Sequence, residues 1–229
     1  MANMRDTYEF LRAVAMNNNR EWFNAHMDEY VMLRKAWEND IERLISLMSE
    51  QDASLKGLRV NDCAYRIYRD IRFSHDKSPY KTYFSAVFGK KGRKCTQAGC
   101  YLHMEPGNSA LHAGIWWPEN DILARLRSEI DANIDEFKAI LDDPEFATRF
   151  TFYGDKLKSV PRGYSKDNPN AEFLKMKEYL CIKKVDDDYF FCDDWVEKVA
   201  EDFSHVQRFN TFLNYIFSEE QCTFIDKMC

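Results

Sequence analysis

"GCYLHMEPGNSALHAGIWWP", Gly99 to Pro118, is the stretch that decides the fold. Apolar and polar residues alternate on both sides of Pro106-Gly107-Asn108-Ser109. Alternation with a period of two belongs to strands half-buried in a sheet, and Pro-Gly-Asn-Ser is a strong turn signal. The reading is a hairpin of two strands, Gly99 to Glu105 and Ala110 to Trp117. Pairing about Gly107-Asn108 sets Glu105 opposite Ala110, Met104 opposite Leu111 and His103 opposite His112. Cys100, Leu102 and Met104 then share a face with Leu111, Ala113 and Ile115. Tyr101, His103 and Glu105 share the other face with His112, Gly114 and Trp116. This assignment holds for that register alone, because a slip of one residue exchanges the faces.

Upstream, Tyr80 to Phe88 alternates in the same way and predicts another strand. Asp6 to Met16 predicts a short helix. Asn18 and Glu21 have capping-box spacing, a carboxylate three residues after an N-cap. They open a long amphipathic helix with Phe23, Met27, Tyr30, Trp37, Ile41, Leu44 and Met48 along one side. The steps of three and four are interrupted only at Arg34, and the helix ends near Glu50.

Downstream, Pro118 opens a helix whose stripe is Ile122, Leu126, Ile130, Ile134, Phe137 and Leu141, with a break near Asp131. Pro144 starts a short helical turn, and Thr151 to Asn170 is a long irregular segment. Ala171 to Glu178 predicts a helix, Tyr179 to Val185 a strand and Asp186 to Asp188 a turn. Asp194 with Glu197 opens a final helix carrying Val199, Phe203, Val206, Phe209, Leu213 and Ile216. With no internal repeat and no linker, the expectation is a single α+β domain over residues 1–229. An antiparallel or mixed central sheet is flanked by helices, with long amphipathic helices near both termini.

The chain has 229 residues, 45% hydrophobic and 31% charged, which is long enough for a sizeable core and too apolar for intrinsic disorder. Its opening, MANMRDTYEFLRAV, lacks the apolar run of a signal peptide, and no stretch approaches the ~18 apolar residues of a membrane span. Seven cysteines, odd in number and without a CxxC pair, support neither a zinc knuckle nor a thioredoxin-type motif. The expectation is a soluble, cytoplasmic protein with no membrane partner.

The net charge is -6, yet from Arg59 to Lys94 ten Lys/Arg stand against three acids, a local +7. That asymmetry points to a local anion site and away from the broadly basic surface of a dedicated DNA binder. "YRIYRDIRFSHDKSPYK", Tyr65 to Lys81, holds Arg66, Arg69 and Arg72 at steps of three, followed by Lys77 and Lys81. On a helix the arginines would form one stripe; on a strand Arg69 would point away from Arg66 and Arg72. Guanidinium groups suit phosphate and carboxylate. The structural alternative is a belt in which these arginines pair with Asp70 and Asp76. The turn "SHDKSPYK" resembles no P-loop, which needs glycines followed by Lys-Ser/Thr.

His103 and Glu105 share one side of a strand and are candidate acid–base groups. With His112 opposite, they are also candidate metal ligands. Tyr101 and Trp116 on that face, near Lys81, point to a cleft lined with aromatics. The alternative is a solvated sheet face or a satisfied hydrogen-bond network. Nucleophilic catalysis finds no support, since there is no GxSxG elbow and no Cys/His pair stands out.

"RIYRDIRFSHDKSPYK", "YLHMEPG" and "GIWWP", together with "FLRAVAMNNNREWFNAHMDEY" and "GYSKDNPNAEFLKMKEYL", resemble a bacterial family of uncharacterised proteins, the domain of unknown function 2461 family. The resemblance covers roughly Phe10 to Phe217. It implies a compact α+β domain and supplies no activity or cofactor to carry over, and no cofactor is expected. In that family the position of His112 is commonly glycine.

The leading expectation is a domain that binds a small anionic ligand bearing phosphate or carboxylate. Arg66, Arg69, Arg72, Lys77, Lys81, Tyr101 and Trp116 are its candidate contacts. The alternatives are an enzyme acting on a phosphorylated or carboxylated metabolite, and a protein- or RNA-interaction module using the basic tip Lys90 to Lys94.

Overall fold

The computed structural model describes residues 3–218. Met1, Ala2 and two of the seven cysteines, Cys222 and Cys229, lie outside the described residues. In chain order the elements are α1 (Met4–Met16), α2 (Arg20–Ala25), α3 (Met27–Gln51), α4 (Val60–Cys63), β1 (Phe84–Phe88), β2 (Gly99–Met104) and β3 (Ser109–Ile115). There follow α5 (Asn120–Ala132), α6 (Ile134–Leu141), α7 (Pro144–Ala147), β4 (Thr151–Tyr153), α8 (Ala171–Leu174), β5 (Tyr179–Val185), α9 (Trp195–Ser204) and α10 (Gln207–Asn214). The fold is α+β, an antiparallel sheet with helices flanking it, and its strand order is β1-β2-β3-β5-β4.

The chain forms two compact units. One takes the residues up to Lys94 with Tyr101–Leu111 and Lys184–Glu201. The other takes Cys95–Cys100, His112–Lys183 and the described residues from Asp202 on.

The first unit is built on α3. Its buried residues Leu33, Trp37, Ile41, Leu44, Ile45 and Met48 recur at steps of three and four. Each such aliphatic side chain removed from water contributes about 1.5–3 kcal/mol. Trp37 tilts against Phe84 of β1 at 5.1 Å between centroids, and its indole N–H donates to the Met104 sulfur at 3.1 Å. Phe23 of α2 stacks on Tyr80 at 3.8 Å.

The predicted long helix is two helices. At the junction the His26 ring stacks on Trp22 at 4.0 Å, and its Nδ1 lies 2.8 Å from the Trp22 carbonyl. A side chain occupying a backbone carbonyl interrupts the helical ladder there. The N-cap is Asn19, which accepts from the Trp22 N–H, and not Asn18. Asn18 bonds instead to both backbone groups of Tyr80, at 2.9 and 3.0 Å.

The hairpin strands stand close to their predicted bounds. Cys100, Leu102 and Met104 are buried, as are Leu111, Ala113 and Ile115, while Tyr101, His103, Glu105 and His112 are half-exposed. The strand predicted over Tyr80 to Phe88 begins only at Phe84. Ahead of it Tyr80 forms an antiparallel bridge with Tyr68 of the basic stretch, and within it Ala86 forms one with Ala64. Lys81 N–H donates to the Ile67 carbonyl and Arg69 N–H to the Pro79 carbonyl, at 2.7 and 2.9 Å. The basic stretch is therefore a strand-like edge, and Ile67 is buried while Arg66 and Tyr68 are exposed.

In the second unit, Phe137, Phe152, Phe173, Tyr179, Phe209 and Phe212 form an aromatic cluster. Gly114 has φ +120, and a Cβ there would overlap the Tyr179 carbonyl, so β3 and β5 approach as only glycine permits. Lys183 donates to both oxygens of the buried Asp202 at 2.6 Å. The segment predicted to be irregular contains β4, whose Phe152 pairs with Cys181. Pro118 precedes the Glu119 cap rather than opening α5. The final helix is divided into α9 and α10.

Candidate functional site

Four cations gather near the Tyr65 end of the basic stretch in the first unit. Arg34 comes from α3, at the one position where the apolar periodicity is interrupted. Its guanidinium lies over Trp37 at 4.5 Å, pairs with Glu38 at 2.8 Å and donates to the Tyr65 carbonyl at 3.0 Å. Arg93 comes from the basic tip and donates to the carbonyls of Asn61 and Asp62, at 2.6 and 3.3 Å. Gly92 makes this approach possible. Its φ is +56, and any Cβ would collide with the Asp62 carbonyl.

Arg34, Arg66 and Arg93 line one cavity of about 490 Å³ with Tyr30, Tyr68, Asn61 and Glu38. Glu38 is its single carboxylate. Among the described residues Arg66 forms no ion pair and no hydrogen bond.

Lys81 is the fourth cation. Its Nζ lies 4.7 Å from the centre of the Tyr65 ring and 5.6 Å from that of Tyr83. Arg93 lies over the same Tyr65 ring at 5.5 Å. Among the described residues the Lys81 ammonium has no carboxylate partner and no hydrogen bond. Burial pushes its pKa below the usual lysine range, and the charges of Arg93, Arg34 and Arg66 push it further the same way.

The polar side of the hairpin carries a continuous hydrogen-bonded relay. Tyr101 Oη lies 3.1 Å from His103 Nδ1, and His103 Nε2 lies 3.1 Å from Glu105 Oε2. Thr82 donates to Glu105 Oε1 at 2.6 Å and Asn108 to Oε2 at 2.8 Å. Burial raises the Glu105 pKa, but the hydrogen bonds from Thr82, Asn108 and His103 outweigh it, and the net shift is downward. An ionised Glu105 can only accept, so His103 Nε2–H donates to it, which leaves Nδ1 of a neutral ring to accept from Tyr101. Burial pushes the Tyr101 phenol up to about 12. The Tyr83 ring lies 4.4 Å from the His103 ring and so touches both the relay and Lys81.

The three arginines of the repeat have separate environments. Arg69 pairs with Asp76, whose pKa is lowered first by Ser78 and then by Arg69. Arg72 clasps Asp70 through two hydrogen bonds, at 2.9 and 2.6 Å, and pulls that carboxyl down to about 2. Lys77 donates to the Ile71 carbonyl at 3.0 Å. Arg66 alone of the three enters the arginine-lined cavity. Arg69 and Lys81 line a second cavity of about 500 Å³ with Thr82 and Tyr83.

Trp116 and His112 belong to the second unit, where His112 Nδ1 lies 2.9 Å from the Tyr153 hydroxyl. Among the described residues no group of three or more His, Cys, Asp or Glu side chains is placed to hold a metal ion. No helix among them is long and apolar enough to cross a membrane.

The elements and this face describe an α+β protein with a cationic, tyrosine-lined sheet edge beside a Tyr-His-Glu relay. The chain belongs to the DUF2461 family of conserved hypothetical proteins, which it matches over residues 6–212. No curated protein and no solved structure matches it.

Proposed function

We propose that the first unit binds a small anionic ligand, bearing phosphate or carboxylate, in the cavity of Arg34, Arg66 and Arg93. The observation that carries this reading is the composition of that cavity. Three guanidinium groups line it against one carboxylate, and among the described residues Arg66 has no ion pair and no hydrogen bond. Guanidinium groups fixed by Trp37, the Tyr65 carbonyl and the Asn61 carbonyl are already oriented, so little side-chain entropy is lost when an anion arrives. Lys81 adds positive potential at the Tyr65 ring.

Arg69, Arg72 and Lys77 do not line this cavity, and each is engaged within its own stretch. The interaction-module reading would use the exposed Lys90, Lys91 and Lys94 of the basic tip, while Arg93 is turned onto Asn61 and Asp62. Free thiols at Cys63, Cys95, Cys100, Cys181 and Cys192 support a reducing compartment and hence a cytoplasmic location.

The test is a thermal-shift and calorimetric titration with inorganic phosphate, sugar phosphates and dicarboxylates at low and high salt. Stabilisation that weakens with salt and is lost in Arg66→Ala is the expected result. A flat response in the intact protein at low salt overturns the reading.

A further inference from the structure

The cavity of Arg34, Arg66 and Arg93 is larger than a bare anion requires. At about 490 Å³ it falls among pockets that enclose whole small molecules, about 300–1,000 Å³. The groups left unused there indicate what fills the remainder. Glu38 gives Oε1 to Arg34, and among the described residues its Oε2 accepts no hydrogen bond. Asn61 gives its backbone carbonyl to Arg93, and among the described residues its carboxamide makes no hydrogen bond.

Tyr68 is a fixed aromatic wall of the same cavity. Its backbone is bridged to Tyr80, and its ring packs on Tyr80 at 5.6 Å and edge-on to Phe23 at 6.3 Å. Yet 51% of the residue is exposed, and it lines the cavity. A ring held in place and left open offers a stacking surface at little entropic cost. Arg66 and Tyr68 are both exposed and flank the buried Ile67, so they project from the same side of the stretch. Two steps of extended chain separate their backbones by at most about 7 Å, which leaves room for one sugar between a phosphate and a base.

Charge selects the anion. Three guanidinium groups against one carboxylate leave the cavity at +2. A phosphate monoester carries about -1.5 to -2 at neutral pH and matches it, whereas a lone carboxylate leaves part of it uncompensated.

We infer that the ligand is a nucleoside 5′-monophosphate. Its phosphate lies on Arg66 and Arg93, its base stacks on Tyr68, and a hydroxyl or amino group donates to Glu38 Oε2. The phosphate rests on the anion-binding reading above; the base on Tyr68 is a separate claim. Asn61 adds one donor and one acceptor to the same cavity. Every base has a π face, so stacking on Tyr68 accepts purine and pyrimidine alike.

The test is calorimetric titration of the full chain at low salt. The probes are adenosine 5′-monophosphate, uridine 5′-monophosphate, ribose 5-phosphate and inorganic phosphate. Both nucleotides should bind about tenfold or more tightly than ribose 5-phosphate, the size of one base–aromatic stack. Tyr68→Ala should remove that advantage and leave ribose 5-phosphate unchanged, while Tyr68→Phe should keep it. Arg66→Ala should weaken all four probes. Because Tyr68→Ala also loses contacts with Phe23 and Tyr80, its fold is checked by circular dichroism. The ranking of the four probes on the natural protein decides the matter without that variant.

Nucleotides that bind no more tightly than ribose 5-phosphate overturn the base site and leave the anion cavity standing. A nucleotide advantage that survives in folded Tyr68→Ala overturns the assignment of the base to Tyr68. Absence of binding by every probe overturns both the nucleotide and the anion cavity.

Discussion

The Asn18 side chain holds the backbone of Tyr80 from both sides, its amide donating to the carbonyl and its oxygen accepting the N–H, across 62 residues of sequence. An amide used in this way mimics a neighbouring strand. It fixes the position from which Lys81 departs and ties the end of α1 to the site. Asn18→Ala should lower stability by about 2 kcal/mol, because the backbone groups of the buried Tyr80 lose their partners. Asn18→Asp keeps the acceptor alone and should fall between. Urea denaturation of the three proteins checks the order.

Lys81 should be a stability cost at neutral pH. Its native pKa lies below the unfolded value near 10.5, so the unfolded state holds its proton more tightly. Stability therefore rises with pH through the native pKa and gains nothing further above the unfolded one. Lys81→Met should melt higher than the natural protein at pH 7. The gap should narrow as pH rises toward the ordinary lysine range. Melting curves from pH 7 to pH 10.5 decide it; a gap that widens refutes the assignment.

Glu105 gives the opposite sign. Its native pKa lies below the ordinary value of 4.5. Its contribution is present in full above that value and is lost as pH falls through the native one. Glu105→Gln should be less stable at pH 7 and should converge with the natural protein in acid. Thermal melts between pH 3 and pH 7 test this.

Two arginines six residues apart should behave differently. Arg72 and Asp70 form an exposed pair, and such pairs contribute about 0–1 kcal/mol. Arg72→Ala should leave both stability and phosphate binding nearly unchanged. Arg66→Ala should also leave stability unchanged, but abolish most of the phosphate-induced shift. Parallel melts with and without phosphate separate the two roles.

Gly92→Ala should lose more stability than Gly57→Ala or Gly107→Ala. All three glycines have positive φ, but only at Gly92 does a Cβ meet backbone, that of Asp62. The conformational penalty alone is about 1 kcal/mol, and the steric overlap adds to it. The same substitution should weaken phosphate binding, because Arg93 is delivered by that turn. Melting temperatures for the three variants provide the comparison.

The hairpin was legible in the sequence because period two and Pro-Gly-Asn-Ser are local signals that agree. The burial of Leu102 and Leu111 and the partial exposure of His103 follow from them directly. Arg34 was visible as an interruption of an apolar stripe, although its purpose depends on Tyr65 arriving beside it. Asn17, Asn18 and Asn19 are equally good N-cap residues, so only the fold distinguishes the one that caps from the one that reaches Tyr80. Arg93 could not be read, since a close approach of Gly92 to Asp62 is a tertiary event. The step-of-three arginines posed a similar problem: spacing indicates which residues share a face, not which carboxylate each will find.

The side chain of Asp187 accepts from the Gly107 N–H at 2.8 Å and pairs with Arg12. It thus links the first helix, the hairpin turn and the stretch after β5 within one unit. That has a consequence for synthesis. A ribosome must deliver the chain as far as Asp187 before the N-terminal helix meets this carboxylate, and as far as Phe191 before the Tyr8 and Arg5 ring contacts can form. Helix α1 and the hairpin must wait, partly unsatisfied, while the whole middle of the chain emerges. Such late closure exposes apolar surface during translation. Chains stopped short of Asp187 should therefore be recovered as chaperone-bound or aggregated material rather than as a free-standing N-terminal half.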